Sequence, residues 1–465
     1  MYATPIKLLI IAVLSLTASL VAAAASLQFT GSDFKVLEQT PERNTGLDKI
    51  YILHSTSGVS ASYTTTTDNP VKWYRYSNLG GGYAEELTNI TTSGKVTTLP
   101  EVEGDMGYII EDGTNRSYFW ITDYSRHTFS ARKLSVSSES DCSSTILLFE
   151  GNALPIHYYT INGQQRTLSR EITVEYYTLE EDRENKQYVQ ISKTETLASI
   201  SESGNVFISN APLCDTRFVL SGDTFSHQWG SRSQVRTEAY STPAVACFTF
   251  AEQTPHTTGD ELSNEITDDD AGTLGGSAPA EITFSAIVTD AVLHHEWQFA
   301  SDSEFTDLIY RFNDSEVTYI FREEGVTYVR YIGSNADGSC ETYGETSEVR
   351  IGNSELKIPN AFSPGASEGI NDVWKVSYRS IIRFECHIFN RNGEEIFSFN
   401  DPSQGWDGKK GGKLVKPGVY YYVIDAEGAD GKHYKKAGDI NIVRYNNRMS
   451  GSSSGTTEGT TTETE

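Results

Sequence analysis

From Ser26 onward the chain is written in short alternating runs of apolar and polar residues, cut apart by Gly, Asn, Asp, Ser and Pro. No helical periodicity of ten or more residues interrupts them. Successive side chains of a strand face opposite sides, so a period of two suits a half-buried sheet, whereas a helix needs a period near 3.6. The pattern therefore restricts the chain to an all-β fold, and frequent Thr, Ser, Tyr and Gly with only three Met agree. With 465 residues the chain exceeds what one core organises, so several tandem β-sandwich domains are expected. Hydrophobic residues at 37%, with 26 Tyr and 20 Phe, are enough to fill those cores. The 37 Lys+Arg against 63 Asp+Glu give a net charge of −26, which argues against nucleic acid as the main partner.

Residues 1–25 read as an export signal peptide. Lys7 supplies the positive start, Leu8 to Leu16 the apolar run, and Ala22 to Ala25 the small residues before cleavage. No basic stop-transfer cluster follows, and no later apolar run is long enough to span a bilayer. The mature chain is therefore expected beyond the inner membrane, without a transmembrane helix once the signal is removed. The first cysteine is Cys142, far from the cleavage site, so an N-terminal lipid anchor is not expected. Five cysteines with wide spacings and no Cys-x-x-Cys give no support to zinc or thioredoxin-like chemistry. One disulfide, Cys142–Cys214 or Cys214–Cys247, is the expectation, with Cys386 as a small buried hydrophobe.

The runs group into modules. Residues 26–133 read as an immunoglobulin-like β-sandwich with Val71–Tyr76 and Ser117–Ile121 as central strands. Residues 134–252 read as a second β-rich domain, with Ile172–Tyr177 and Gln187–Ile191 as strands joined by a charged turn. Residues 253–278, rich in Thr, Gly, Ser and acids, read as a flexible acidic linker. Asp268-Asp269-Asp270 within it is better explained as a self-repelling spacer than as a calcium loop, whose ligands alternate around a Gly turn. Residues 279–353 form a third unit. It carries Ala278-Pro279 before its first strand, Trp297 in its centre, and Gly325-Val326-Thr327-Tyr328 leading to Asn335-Ala336-Asp337-Gly338. It resembles the immunoglobulin-like PKD repeats of bacterial surface proteins.

Residues 355–448 carry the densest signals, followed by a Ser/Thr/Gly/Glu tail (449–465) expected to be disordered. Asn392-Gly393 predicts a two-residue type I′ hairpin, placing Ile388 opposite Phe397 and Phe389 opposite Ile396. Lys416-Pro417-Gly418-Val419 predicts a type II turn opening an aromatic strand, Val419 to Ile424, covered on both faces. Asp430-Gly431 predicts a further turn before the closing strand. Residues 355–449 hold 14 basic against 12 acidic residues, net +2 in an otherwise acidic chain. The loop lysines Lys409, Lys410, Lys413, Lys416, Lys432, Lys435 and Lys436 fit a docking face for an apparatus or an anionic surface polysaccharide. They fit equally well the solvated loop ends that protect sheet edges.

Within this module Pro359-Asn360, Phe362, Pro364, Asn371-Asp372, Phe389-Asn390-Arg391, Gly393, Trp406-Asp407-Gly408, Pro417-Gly418 and Tyr420 stand in order. The ordered set resembles the gliding-motility-associated C-terminal domain of Bacteroidetes. That resemblance implies a C-terminal β-sandwich read as a type-B sorting signal by type IX secretion machinery at the outer membrane, and hence a secreted or cell-surface protein. Gly365 to Gly369 stands where the family has an oxygen-rich Asn-Gly-Asp-Gly loop, so calcium, the one ion worth considering, has few ligands there, and no cofactor or metal is expected. Arg391-Asn392-Gly393 replaces the family's Arg-Trp-Gly. Both Gly393→Val and Trp406→Ala are expected to unfold the module, Gly393→Val the more strongly.

Catalysis finds little support. Gly451-Ser452-Ser453-Ser454-Gly455 matches a nucleophile elbow only formally, in a low-complexity tail without the strand and helix that motif requires. His294 and His295 are neighbours on an expected strand and point to opposite faces, which prevents a shared metal. The expected function is a non-enzymatic exported surface protein whose N-terminal β-modules bind a protein or polysaccharide ligand. The alternative is an exported hydrolase or carbohydrate-binding protein with its site in residues 26–252, where Trp73, Tyr74 and Trp120 are the candidates for stacking on sugar rings.

Overall fold

A computed structural model describes residues 26–31, 35–65, 67–255, 263–266, 274–366 and 371–443. The signal at 1–25, Asp268–Asp270 and the tail at 449–465 lie outside the described residues. Two compact units divide the chain: Met1–Thr178 with Ser192–Ser241, and Leu179–Ile191 with Thr242–Glu465.

In the first unit, a four-stranded sheet (Gln28–Thr30, Ser60–Thr64, Val96–Leu99, Thr91–Ser93) faces a six-stranded one. The latter runs Val36–Gln39, Lys49–Leu53, Asn115–Asp123, Met106–Asp112, Val71–Tyr76, Glu85–Glu86. Alternation fills the gap: Tyr51, Leu53, Trp73, Tyr108, Ile110, Phe119 and Ile121 all enter this core. The other face of the six-stranded sheet is buried too. Ile50, Ile52, Tyr76, Ile109 and Trp120 pack with Ile156, Tyr158 and Leu168 of the hairpin Ile156–Tyr159/Gln165–Leu168 and with Phe225 of the helix Thr224–Gln228. Val71–Tyr76 thus lies next to the edge, and Asn115–Asp123 is the central strand. A second sandwich follows, with Ser130–Val136, Thr145–Asn152 and Asn205–Ile208 in one sheet. The other holds Gln187–Leu197, Ile172–Asp182, Val219–Ser221 and Gln234–Arg236.

At the base of this unit Arg170 and Asp223 are both fully buried and paired, 2.7 Å from Nη2 to Oδ2. Arg170 Nη1 donates to the Leu154 carbonyl (2.8 Å), Nη2 donates to the His127 carbonyl (2.7 Å), and Tyr124 Oη donates to Asp223 Oδ1 (2.9 Å). Each side chain therefore spends its hydrogen-bonding capacity on a different stretch of chain, which is the condition for a buried pair to be tolerated.

The second unit begins earlier than the sequence suggests. Cys247–Gln253 pairs along its whole length with Ala280–Val288, which pairs in turn with Glu316–Phe321. Leu274–Gly276 joins the opposing sheet beside Ser347–Ile351. The expected boundary at residue 252 and the expected linker are thus partly sheet, because alternation shows which face of a strand is buried but not which neighbour it takes. Phe284, Trp297, Phe299, Val329 and Tyr331 fill this core. The expected disulfide pairs do not form: Cys214, Cys247 and Cys386 are thiols.

Candidate functional site

The C-terminal module is one five-stranded sheet, Ala361–Phe362, His433–Ile442, Gly418–Gly428, Ile381–Phe389, Glu395–Phe399, with the short ribbon Glu355–Lys357/Ser377–Arg379 and its loops over one face. Phe384, Cys386, Ile388, Ile424, Ala426, Ile440 and Ile442 point inward from the sheet and meet Trp374, Val376, Tyr378 and Trp406. Burial pushes the Cys386 thiol up to about 12, so it stays protonated.

Several of the ordered motif residues are buried in this fold or tie its loops in place. The Pro359 carbonyl accepts from the Trp374 indole (2.7 Å), and the Asn360 carbonyl accepts from Asn441 N (2.8 Å). Phe362 lies 5.5 Å from the Trp406 ring. Pro364 is buried against Gly408, where an added Cβ would stand 2.8 Å from Pro364 Cγ, and Gly408 has φ of +73°. The Asn371 carbonyl receives Ser363 N (2.9 Å) and Asp372 Oδ1 receives Gly365 N (2.7 Å), tying off the loop whose residues 367–370 lie outside the described residues. Asp407 Oδ1 receives Lys409 N (3.0 Å).

Two turns differ from expectation. At Asn390–Glu394 the loop has three residues: Gly393 N donates to the Asn390 carbonyl (3.0 Å) and Asn390 N to the Glu394 carbonyl (2.9 Å). Asn390 Oδ1 also accepts from Asn392 N (2.9 Å) and Glu394 N (3.1 Å), holding a type I turn in which Gly393 alone has positive φ (+80°). Ile388 pairs with Phe397 as expected, but the bulge sets Phe389 opposite Glu395 instead of Ile396. The type I′ geometry occurs elsewhere, at Gly411-Gly412, both with positive φ, between the paired Lys410 and Lys413. Pro417-Gly418 makes no type II turn. Gly418 already pairs with Ile442 as the first residue of its strand, and Tyr420 Oη donates back to the Lys416 carbonyl (3.0 Å). A tyrosine tethered to its own entering loop in this way pins the corner of a β-sandwich.

The surface left over is specific. Register puts Phe389 beside Tyr421, and Val423 between His387 and Ala437. Val419, Tyr421 and Val423 are 44%, 47% and 47% exposed, so this strand is covered on one face only, not both. Arg391 stands exposed at the hairpin tip, and all seven lysines are exposed, Lys435 and Lys436 from within the strand His433–Ile442. Lys409 pairs with Asp407 (2.7 Å) and Lys410 with Glu394, whose carboxyl is held below its ordinary range by that lysine.

The stacking aromatics of the first sandwich do not form a site. Trp73 (0% exposed) donates Nε1 to Thr97 Oγ1 (2.9 Å) inside one core, and Trp120 (1%) lies in the other. Tyr74 is half-buried beside the latter. A sandwich with one wet face would have left one set of these rings exposed, but the hairpin Ile156–Tyr159/Gln165–Leu168 covers it. Among the described residues no group of three or more His, Cys, Asp or Glu is arranged to hold a metal, and no helix is long and apolar enough to cross a membrane.

Tandem β-sandwich modules closed by a self-contained sheet module define the class of chain. Residues 356–442 match the CHU_C type IX secretion signal domain, and residues 135–237 match a fibronectin type III domain. The first match marks the chain for handling by type IX secretion machinery and for export out of the cell, to the surface or beyond. The chain is therefore a secreted or surface protein built of β-modules. No curated protein matches. Among solved structures, the tetra-tandem repeat in the extending region of a large adhesion protein is 12% identical and covers 90% of this chain and 100% of its own, with TM-score 0.23. The FN1–FN3 domains of chicken CNTN1 are 10% identical over 67% of this chain and 98% of theirs (TM-score 0.24). A Ca2+-stabilized adhesin that helps an Antarctic bacterium bind ice is 10% identical over 90% and 100% (TM-score 0.18). At these TM-scores the superpositions do not define a shared fold.

Proposed function

We propose that this is a non-enzymatic protein displayed on the outer-membrane exterior, with its upstream β-modules serving adhesion or ligand binding and residues 356–442 serving as the sorting signal. The carrying observation is that this segment matches a type IX signal domain and has a hydrophobic core of its own. The N-terminal signal delivers the chain to the periplasm, where the module folds and offers its uncovered strip, Phe389, Tyr421 and Val423, to the secretion apparatus. Charged residues flank the strip, which keeps the module soluble until it is engaged.

Deleting residues 356–442 should leave the protein in the periplasm, protected from protease added to intact cells, as should removing the secretion apparatus from the strain. Surface display of the truncated form would sink the sorting role. Tyr421→Ser with Val423→Ser should lower surface display while leaving the melting temperature of the protein nearly unchanged, because both side chains point to solvent.

A further inference from the structure

The third module has an outer sheet face that the export reading leaves unused. Register lays its side chains in rows across three strands: His294 beside Ser334 beside Glu341, then Glu296 beside Ile332 beside Tyr343, then Gln298 beside Arg330. Rows two residues apart along a strand are about 7 Å apart, so the three span roughly 14 Å. A groove of about 590 Å³ lies over them, lined by His294, Glu296, Gln298, Asn313, Ser334 and Glu341 among others.

Gln298 and Glu296 of the groove are held by side chains beside it. Gln298 is 7% exposed, and its Oε1 accepts from Arg330 Nε (2.9 Å) and Nη2 (2.7 Å), while its Nε2 donates to Glu296. Arg311 pairs with Glu296 (3.5 Å). The Arg330 guanidinium lies 4.0 Å from the Phe305 ring centroid and 5.8 Å from that of Tyr343. Tyr343, 56% exposed, is fixed in turn by its hydroxyl donating to Glu341 Oε2 (2.7 Å). An exposed ring held at both edge and face is an unusual use of a tyrosine, because an exposed aromatic ordinarily keeps its rotamer freedom.

We infer that this groove, together with the exposed Tyr343 ring beside it in the row of Ile332, binds a neutral oligosaccharide, with Tyr343 stacking on a sugar ring and His294, Asn313, Ser334 and Glu341 exchanging hydrogen bonds with its hydroxyls. The chemistry selects that class. The charged groups that line the groove are the carboxylates Glu296 and Glu341, which repel an anionic ligand, and Arg311 at its side is paired with Glu296. The remaining groups mix donors with acceptors, as a polyhydroxylated uncharged ligand demands. A peptide added as a strand pairs along a sheet edge, whereas this groove lies over a sheet face.

The inference is independent of the export reading, since binding is read on purified protein. The full chain is run in native gels containing hydroxyethyl-cellulose, laminarin or mannan, with polygalacturonate as the anionic comparison. Retardation is expected with at least one neutral polymer and not with polygalacturonate. Tyr343→Ala should weaken the affinity about fivefold or more, Asn313→Ala should also weaken it, and neither should move the melting temperature. Failure of all three neutral polymers, retardation by polygalacturonate alone, or unchanged binding in Tyr343→Ala would each overturn the assignment.

Discussion

Trp374 and Trp406 face each other across an isolated antiparallel bridge and exchange both backbone hydrogen bonds, at 2.9 and 3.0 Å. Both indoles are fully buried, and each donates its N–H to a carbonyl, Trp374 to Pro359 and Trp406 to Lys409. The bridge joins two loops that have no regular sheet of their own, so the indoles carry the packing over that face of the module.

This reverses the order of damage expected from sequence. Gly393 is exposed with nothing within 4 Å of an added Cβ, so Gly393→Val is charged only with a strained positive φ, about 1–3 kcal/mol. Trp406→Ala opens a cavity in the core and should cost about 3–5 kcal/mol. Chemical denaturation of the full chain followed by near-ultraviolet dichroism should rank Trp406→Ala as the more damaging; equal midpoints would contradict the bridge's role.

In the first unit, Arg170→Ala leaves the Asp223 carboxylate buried with its main partner gone. A loss of about 3–5 kcal/mol is expected, and Arg170→Lys should not restore it, because an ammonium cannot reproduce a fork shared among Asp223, Leu154 and His127. Differential scanning calorimetry of the three proteins decides this.

Asp430 predicts a pH effect. Burial pushes its carboxyl up, but hydrogen bonds from Ser354 Oγ (2.6 Å) and Lys432 N (3.1 Å) outweigh that and hold it below the ordinary aspartate range. A depressed folded value gives stability that is present above the unfolded pKa and lost as pH falls through the folded one. The melting temperature should therefore drop between about pH 5 and about pH 3 more in the parent than in Asp430→Asn. Parallel curves would remove the carboxylate from the account.

Cys386 should resist alkylation. Its thiol is fully buried and its pKa is raised to about 12, so the reactive thiolate is scarce at neutral pH. Site-resolved mass spectrometry after iodoacetamide should find Cys214 and Cys247 modified before Cys386, and all three modified in denaturant. Early modification of Cys386 in the native chain would show that the core opens.

The alternation along the chain foretold strands well: Val71–Tyr76, Glu281–Ala286 and Val326–Tyr331 all lie within observed strands. The ordered C-terminal motifs foretold the module that matches the secretion signal. What alternation does not carry is pairing. Cys-Phe-Thr-Phe at residues 247–250 reads the same whether it closes one sandwich or opens the next, and only packing against Ala280–Val288 decides. The same limit misplaced the tryptophans. Trp73 and Trp120 occupy opposite faces of one sheet, and nothing local announces that a distant hairpin covers the second face. The turn at Asn390 was missed for a chemical reason. Asn392-Gly393 taken by itself predicts a two-residue turn, while the side chain that sets the geometry, Asn390, sits two residues earlier.

The two-residue strand Ala361–Phe362 lies parallel to Asn441–Ile442, so the opening of the last module is sewn to its close. A polypeptide released early by the ribosome, or clipped before residue 441, has no partner for that seam and cannot complete the sheet. If the proposed sorting role holds, truncated products would lack a finished signal and stay behind, and export would then also sort complete chains from broken ones.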